Sequence, residues 1–159
     1  MSRLVPPSPI AFRAIILDSG PLGLAANPKS SPENDACNRW IEQHLENGVR
    51  VCVPEIADYE VRRELLRAGL HDSVTALDAF INTLDYLPLN TNVMRQAALF
   101  WAQARNAGRT TADRHAVDGD VILAAQTVSL GFAPNEVVVA TTNVGHLGLF
   151  VAAKLWRDV

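Results

Sequence analysis

Four acidic residues and one asparagine stand at positions from which a folded chain could bring them together. Asp18 directly follows the apolar run AIIL, and Asn143 closes the run VVVATTN. Glu60 lies inside a helical pattern that follows another apolar run, and Asp118 and Asp120 precede the apolar segment VILAAQ. Because the strands of a parallel sheet end at the same edge, we expect Asp18 and Asn143 to lie near each other.

A cluster of such side chains would suit a hard divalent cation. Mg²⁺ and Mn²⁺ prefer oxygen ligands, keep several water molecules and commonly share a phosphate of the substrate. Such an ion polarises a phosphoryl oxygen and lowers the pKa of a bound water, so the expected chemistry is hydrolysis of a phosphate ester. The metal-site hypothesis depends on the joint arrangement of the acids.

Each acid also has a simpler interpretation when it is taken alone. Asp18 could cap the helix that follows it, and Asp118 and Asp120 could interact with the dipole at a helix start. Glu60 could be a solvated helix acid paired with Arg63, three residues along the same helix. Spacing by itself does not decide between these interpretations and a shared site.

Short apolar runs alternate with helical patterns along the chain, which is typical of an α/β domain with a mostly parallel sheet. Three prolines within residues 1–13 indicate a flexible N-terminal arm, which leaves residues 14–159 as a single domain. Strands are predicted at 14–18, 49–54, 86–90 and 136–143, and the tail AAKLWRDV is a candidate for a fifth. Helices are predicted at 21–27, 34–48, 54–69, 73–85, 92–108 and 120–131, with a polar loop at 109–119.

The composition limits the classes of function. A chain of 159 residues, 48% of them hydrophobic, can build one packed core, and a net charge of −3 gives no overall basic surface for nucleic acid. Cys37 and Cys52 are not spaced as zinc ligands, so we expect free thiols in a reducing compartment. The sequence offers no signal-peptide pattern and no apolar run of about 20 residues, so we expect a cytoplasmic protein with no membrane partner.

The ordered set of acidic motifs resembles the PIN-domain family of metal-dependent ribonucleases, which includes the VapC-type toxins. Members of that family open with an apolar strand that ends in Asp and then Ser or Thr, as Asp18 and Ser19 do here. They carry a Glu in the helix after the second strand, matched by Glu60 in VPEIADYEVRREL. A third acid heads a helix of the type Asp-x-x-Ile/Leu-Ala-Ala, matched by Asp120 in DVILAAQ, and TTN at 141–143 matches the end of a later strand.

The resemblance implies a three-layer α/β/α fold and an endoribonuclease that depends on Mg²⁺ or Mn²⁺. Asp18, Glu60 and Asp120 would be the ligands of the metal and the catalytic acids, with Asp118 as a further carboxylate. Asn143 stands where many members have an acid and would offer a neutral carbonyl oxygen. Two hydroxyl residues, Ser19 and Thr142, would support the site by hydrogen bonds.

The resemblance also implies partners. RNA would be the substrate, with Arg63, Arg109 and Arg114 as candidates for phosphate contacts, although an ordinary solvated face is the better explanation for any single arginine. A toxin would have a cognate antitoxin that covers the acids, and a homodimer would be typical of the family.

Two other classes of function remain open at this point. A PIN-like module that binds RNA or protein without cutting is the main alternative, and the neutral Asn143 favours it. A phosphatase with Asp18 as its nucleophile is the weaker one, because such enzymes generally need a second acid two residues on, where this chain has Gly20.

Overall fold

Five parallel strands form the central sheet of the computed structural model, which describes residues 12–108 and 114–159. The order across the sheet is β3-β2-β1-β4-β5, and every neighbouring pair is parallel. This confirms the predicted α/β class, and the candidate fifth strand in the C-terminal tail is present. The strands are β1 (Ala14–Leu17), β2 (Arg50–Pro54), β3 (Asp85–Leu87), β4 (Val137–Thr141) and β5 (Ala153–Leu155).

Helices cover both faces of the sheet, which gives the expected three layers. Along β1, Ile15 and Leu17 face one apolar cluster with the first four helices, while Ala14 and Ile16 face a second cluster that includes Leu123 of the sixth. Burial on both faces explains why the β1 sequence is continuously apolar. The helices are α1 (Ser19–Ala26), α2 (Pro32–Glu46), α3 (Glu55–Arg67), α4 (His71–Ile81), α5 (Thr91–Asn106) and α6 (Arg114–Val128).

The predicted polar loop at 109–119 is wrong over its second half. Helix α6 begins at Arg114, so Asp118 lies inside the helix rather than ahead of it, and Asp120 lies well inside the helix rather than at its first position. The reason is packing: Val117 and Val121, one turn apart, are both buried in a cluster shared with α5. Residues 109–113 lie outside the described part of the chain.

The predicted flexible arm falls almost entirely on residues 1–11, which are outside the described part. The two arm residues that are described contact the domain. Phe12 packs against the first apolar cluster, and the Arg13 N–H donates a hydrogen bond of 2.7 Å to the Glu136 carbonyl oxygen. Cys37 and Cys52 are buried free thiols, as expected. No helix within 12–108 or 114–159 is long and apolar enough to span a membrane.

A buried glutamine fixes α6 to the first turn of α3 and to the end of β3. Gln126 is fully buried, its Oε1 accepts a hydrogen bond from the Ile56 N–H at 3.1 Å, and its Nε2 donates to the Leu87 carbonyl oxygen at 2.6 Å. Helix α3 follows Pro54, whose side chain provides no cap. Gln126 therefore supplies the cap from another helix and sets the distance between α3 and α6.

Replacing Gln126 with leucine tests this role. Gln126→Leu should lower the free energy of unfolding by about 1–3 kcal/mol, because it leaves a buried N–H and a buried carbonyl without partners. Urea unfolding followed by circular dichroism measures the loss. The matched control is Gln103→Leu, at an exposed glutamine of α5, which should change stability by less than about 0.5 kcal/mol. Equal effects of the two substitutions would contradict the capping role.

Candidate metal and nuclease site

Asp18 stands at the carboxyl end of β1 and is held from two sides. Its Oδ1 accepts a hydrogen bond from the Ser19 N–H at 2.8 Å, which makes Asp18 the N-cap of α1. Its Oδ2 accepts from the Thr141 hydroxyl at 2.7 Å. The structural interpretation of Asp18 as a cap is therefore correct, and it does not compete with a site, because the cap uses only one carboxylate oxygen directly.

Thr141, not the predicted Thr142, is the threonine that holds Asp18. Thr141 is buried, and its hydroxyl oxygen also accepts from the Asn143 N–H at 3.1 Å, so it joins Asp18 to the turn after β4. Leu17 pairs with Ala140, so the next residue on β4 lies beside Asp18. The sequence did not reveal this register, which is why Thr142 rather than Thr141 was predicted from the motif TTN.

Thr142 has a different role, as a packing neighbour of Gly20. A Cβ on Gly20 would lie only 2.6 Å from Thr142 Cγ2, so the first turn of α1 can approach the end of β4 only because residue 20 has no side chain. Ser19 supports Asp18 through its backbone N–H.

Glu60 and Asp120 complete an electrostatic cluster with Asp18. Burial, followed by the negative charge of Asp18, raises the pKa of Asp120 from its ordinary 3.8 to about 6. Burial and the charges of Asp18 and Asp120 also raise the pKa of Glu60, while Arg63 opposes this rise. The charge of Asp18, at the end of β1, therefore acts on Glu60 of α3 and on Asp120 of α6, and the charge of Asp120 acts on Glu60.

Two other acids of α3, Asp58 and Glu64, have cationic or phenolic partners of their own. Asp58 accepts hydrogen bonds from Arg62 Nε at 3.1 Å and from the Tyr86 hydroxyl at 2.8 Å. Glu64 pairs with Arg67 at 2.9 Å on the exposed face. Positions two residues apart lie about 200° around a helix, so Asp58 and Glu60 face opposite ways.

The same geometry separates Asp118 from Asp120. Asp118 is exposed and lines a groove between α5 and α6 together with Met94, Trp101 and Val121. The structure therefore does not bring Asp118 into the cluster, although the sequence placed it among the candidate ligands. The spacing of two residues could have indicated this separation, once both acids were known to be helical.

The remaining candidates have mixed positions. Asn143 is exposed and is tied to Thr141 through its backbone. Arg63 lies with its guanidinium 4.0 Å from Glu60 Oε2 and also over the ring of Tyr59. Arg109 lies outside the described residues, and Arg114 begins α6 with a side chain that is likewise outside the description.

The charges of these acids influence one another, but their side chains are not arranged as a set of metal ligands. Over the described ranges, no group of three or more His, Cys, Asp or Glu side chains is arranged so that it could hold a metal ion. The pKa shifts of Glu60 and Asp120 nevertheless show that negative charge is concentrated here at a cost.

The comparisons with known proteins identify the fold. No protein-family model and no curated protein sequence matches the chain. Its structure is similar to a chain in the crystal structure of VapBC2 from Rickettsia felis bound to a fragment of promoter DNA, with a TM-score of 0.69 at 12% identity, covering 90% of this chain and 98% of that chain.

Two further solved structures give the same result. A chain of the DNA-bound VapBC from Salmonella typhimurium has a TM-score of 0.66 at 16% identity, covering 90% of this chain and 98% of that chain. A chain of VapBC-1 from nontypeable Haemophilus influenzae has a TM-score of 0.59 at 14% identity, covering 91% of this chain and 98% of that chain. The chain therefore has the predicted PIN-like fold.

Removal of the Thr141 hydroxyl tests whether its hydrogen bonds hold Asp18 and the turn after β4 in place. Thr141→Val keeps the shape and suits a strand, but it should lower the free energy of unfolding by about 1–3 kcal/mol because Asp18 and the Asn143 N–H each lose a partner. Thermal unfolding measures the change. Thr142→Val, at an exposed position, is the matched control and should change stability far less. If Thr141→Val left the thermal stability unchanged, the proposed hydrogen-bonding role of Thr141 would be contradicted.

The raised pKa of Asp120 predicts a pH-dependent gain of stability in Asp120→Asn. The pKa of Asp120 in the folded protein, about 6, exceeds its ordinary value of 3.8. The contribution of Asp120 to the free energy of unfolding is therefore most favourable below pH 3.8 and is lost as the pH rises through 6. Without divalent cations, the variant should be more stable than the wild type at pH 8 by about 1–2 kcal/mol, after allowance for partial exposure, with little difference near pH 4. Urea unfolding at both pH values measures it. The same gain in Asp118→Asn would show that the effect does not come from the cluster.

Proposed function

We propose that the chain is an endoribonuclease that depends on Mg²⁺ or Mn²⁺ and acts as the toxin of a toxin–antitoxin pair. The observation that carries this proposal is the cluster of Asp18, Glu60 and Asp120, in which burial and then the negative charge of Asp18 raise the pKa values of the other two acids. A protein gathers partly buried carboxylates at a cost unless a cation balances them. Arg63, at 4.0 Å from Glu60, offsets only part of that charge.

In the proposed site, Asp18, Glu60 and Asp120 hold the cation, and Asn143 offers a neutral carbonyl oxygen at the edge. The cation would polarise the scissile phosphate of RNA and lower the pKa of the attacking water. Thr141 keeps the Oδ2 of Asp18 in place, and Gln126 holds α6 and α3 at the separation that Glu60 and Asp120 require. Asp118 is left out of this set because it lines another groove.

Arginines around the site are the proposed phosphate contacts. Arg63 is about half exposed and sits beside Glu60, so it can reach a backbone phosphate next to the acids. Arg109 and Arg114 remain proposals from the sequence. Recognition of RNA by a few local arginines agrees with the net charge of −3, which provides no general attraction for nucleic acid.

The proposed partners are an antitoxin and a second copy of the chain. The three similar structures are of VapBC proteins, and two of them are bound to DNA. This supports an antitoxin partner for a chain with the same fold. The acid cluster would be silenced by a basic side chain inserted among the carboxylates. The buried free thiols Cys37 and Cys52 agree with a reducing, cytoplasmic setting.

A module that binds RNA or protein without cutting is the second candidate. Two observations favour it: Asn143 is neutral, and the described acids are not arranged as a ready ligand set. Such a module would bind RNA equally well with and without divalent cations, which separates it from the nuclease.

Cleavage of RNA with a pair of matched acid variants tests the proposed function. Labelled, mixed-sequence RNA is incubated with the wild type, Glu60→Gln or Glu64→Gln in Mn²⁺, Mg²⁺ or EDTA. We expect cutting only with the cations, a loss of at least about 100-fold in Glu60→Gln, and near wild-type cutting in Glu64→Gln, which lies one turn further along the same helix. Asp18→Asn and Asp120→Asn should behave like Glu60→Gln.

The controls distinguish the two candidates. RNA retained on a filter without cutting, in EDTA as in Mn²⁺, would overturn the nuclease and favour the binding module. Cutting that survives Glu60→Gln would indicate a contaminating ribonuclease or a different site.

A further inference from the structure

Gly119 of α6 faces the carboxylate of Glu60. A Cβ built on Gly119 would lie 3.6 Å from both Oε1 and Oε2 of Glu60 and 3.7 Å from its Cδ. A methyl group at this position would therefore contact both oxygens of the carboxylate rather than one of them. Asp120, the next residue, belongs to the same acid cluster.

Neither sterics nor backbone conformation requires a glycine at this position. Distances of 3.6–3.7 Å are ordinary van der Waals contacts, so an alanine methyl would fit. Gly119 lies inside α6 and is not among the residues with positive φ, and alanine is the better helix former. The packing therefore gives no reason for glycine here, whereas the carboxylate of Glu60 does.

We propose that Gly119 is a positioning residue that keeps the α6 side of the Glu60 carboxylate open to water and to a divalent cation. A methyl group in this place would set an apolar group beside both oxygens and would hinder the approach of a hydrated ion, which keeps several of its waters. This inference rests on the proposed metal-dependent function. It adds a residue that no acidic motif includes.

Gly23 provides a matched control. It also lies inside a helix, α1, but the nearest atom to its missing Cβ is Val61 Cγ2 at 3.9 Å, and no carboxylate is near. Gly23→Ala and Gly119→Ala thus make the same chemical change in the same secondary structure. They differ in what the new methyl group covers.

The experiment measures Mn²⁺ binding and thermal unfolding of the wild type, Gly119→Ala, Gly23→Ala, Glu60→Gln and the double variant Glu60→Gln/Gly119→Ala. Isothermal titration with Mn²⁺ should show an affinity about 10-fold or more weaker in Gly119→Ala, and wild-type affinity in Gly23→Ala. Without cation, the Tm of Gly119→Ala should equal or exceed that of the wild type. Mn²⁺ should raise the Tm of the wild type clearly more than that of Gly119→Ala.

In a Glu60→Gln background, Gly119→Ala should weaken Mn²⁺ binding no further, because the carboxylate through which it acts is gone. Wild-type Mn²⁺ affinity in Gly119→Ala would overturn the inference and leave the proposed function intact. A Gly119→Ala protein that does not fold would also overturn it, since the inference holds that alanine fits. No Mn²⁺ binding in the wild type would overturn the proposed function, and the role of Gly119 with it.

Discussion

Repulsion among three carboxylates is the constraint around which this site is organised. Asp18 follows β1, Glu60 lies in α3 and Asp120 in α6, and burial, followed by the charge of Asp18, raises the pKa of both helix acids. In a partly buried setting such repulsion is weakly screened, so the groups would separate unless the fold held them. The order β3-β2-β1-β4-β5 places β1 centrally, and its carboxyl end is where the flanking helices converge.

Uncharged contacts provide most of that restraint. Thr141 fixes one oxygen of Asp18, the Ser19 N–H holds the other, and Gln126 joins α6 to α3 through buried hydrogen bonds. None of these groups neutralises the carboxylates, so they define positions without satisfying charge. That division of roles agrees with the proposed cation site, to which the proposed role of Gly119 would add access.

Much of this arrangement was predictable from the sequence, because strong local patterns determine it. Continuous apolar runs gave the buried strands, and the placement of an acid after β1, within α3 and within DVILAAQ gave the three members of the cluster. The errors arose where long-range geometry decides. The register of β1 against β4 places Thr141, not Thr142, beside Asp18. The packing of Val117 on α5 extends α6 towards its N-terminus, which puts Asp118 in the helix on a different face from Asp120. Gln126 looked like an ordinary helix residue, because its partners lie about 40 and 70 residues away in sequence.

The most direct test of the central claim is a crystal structure with Mn²⁺, using anomalous scattering to locate the ion. The account predicts a peak between Asp18, Glu60 and Asp120, contacting their oxygens directly or through water, with Thr141 still hydrogen bonded to Asp18. Occupancy should disappear in crystals of Asp18→Asn. A peak bound instead at Asp118 or at Asp58, or no ordered ion at saturating Mn²⁺, would contradict the claim that the three acids form one cation site.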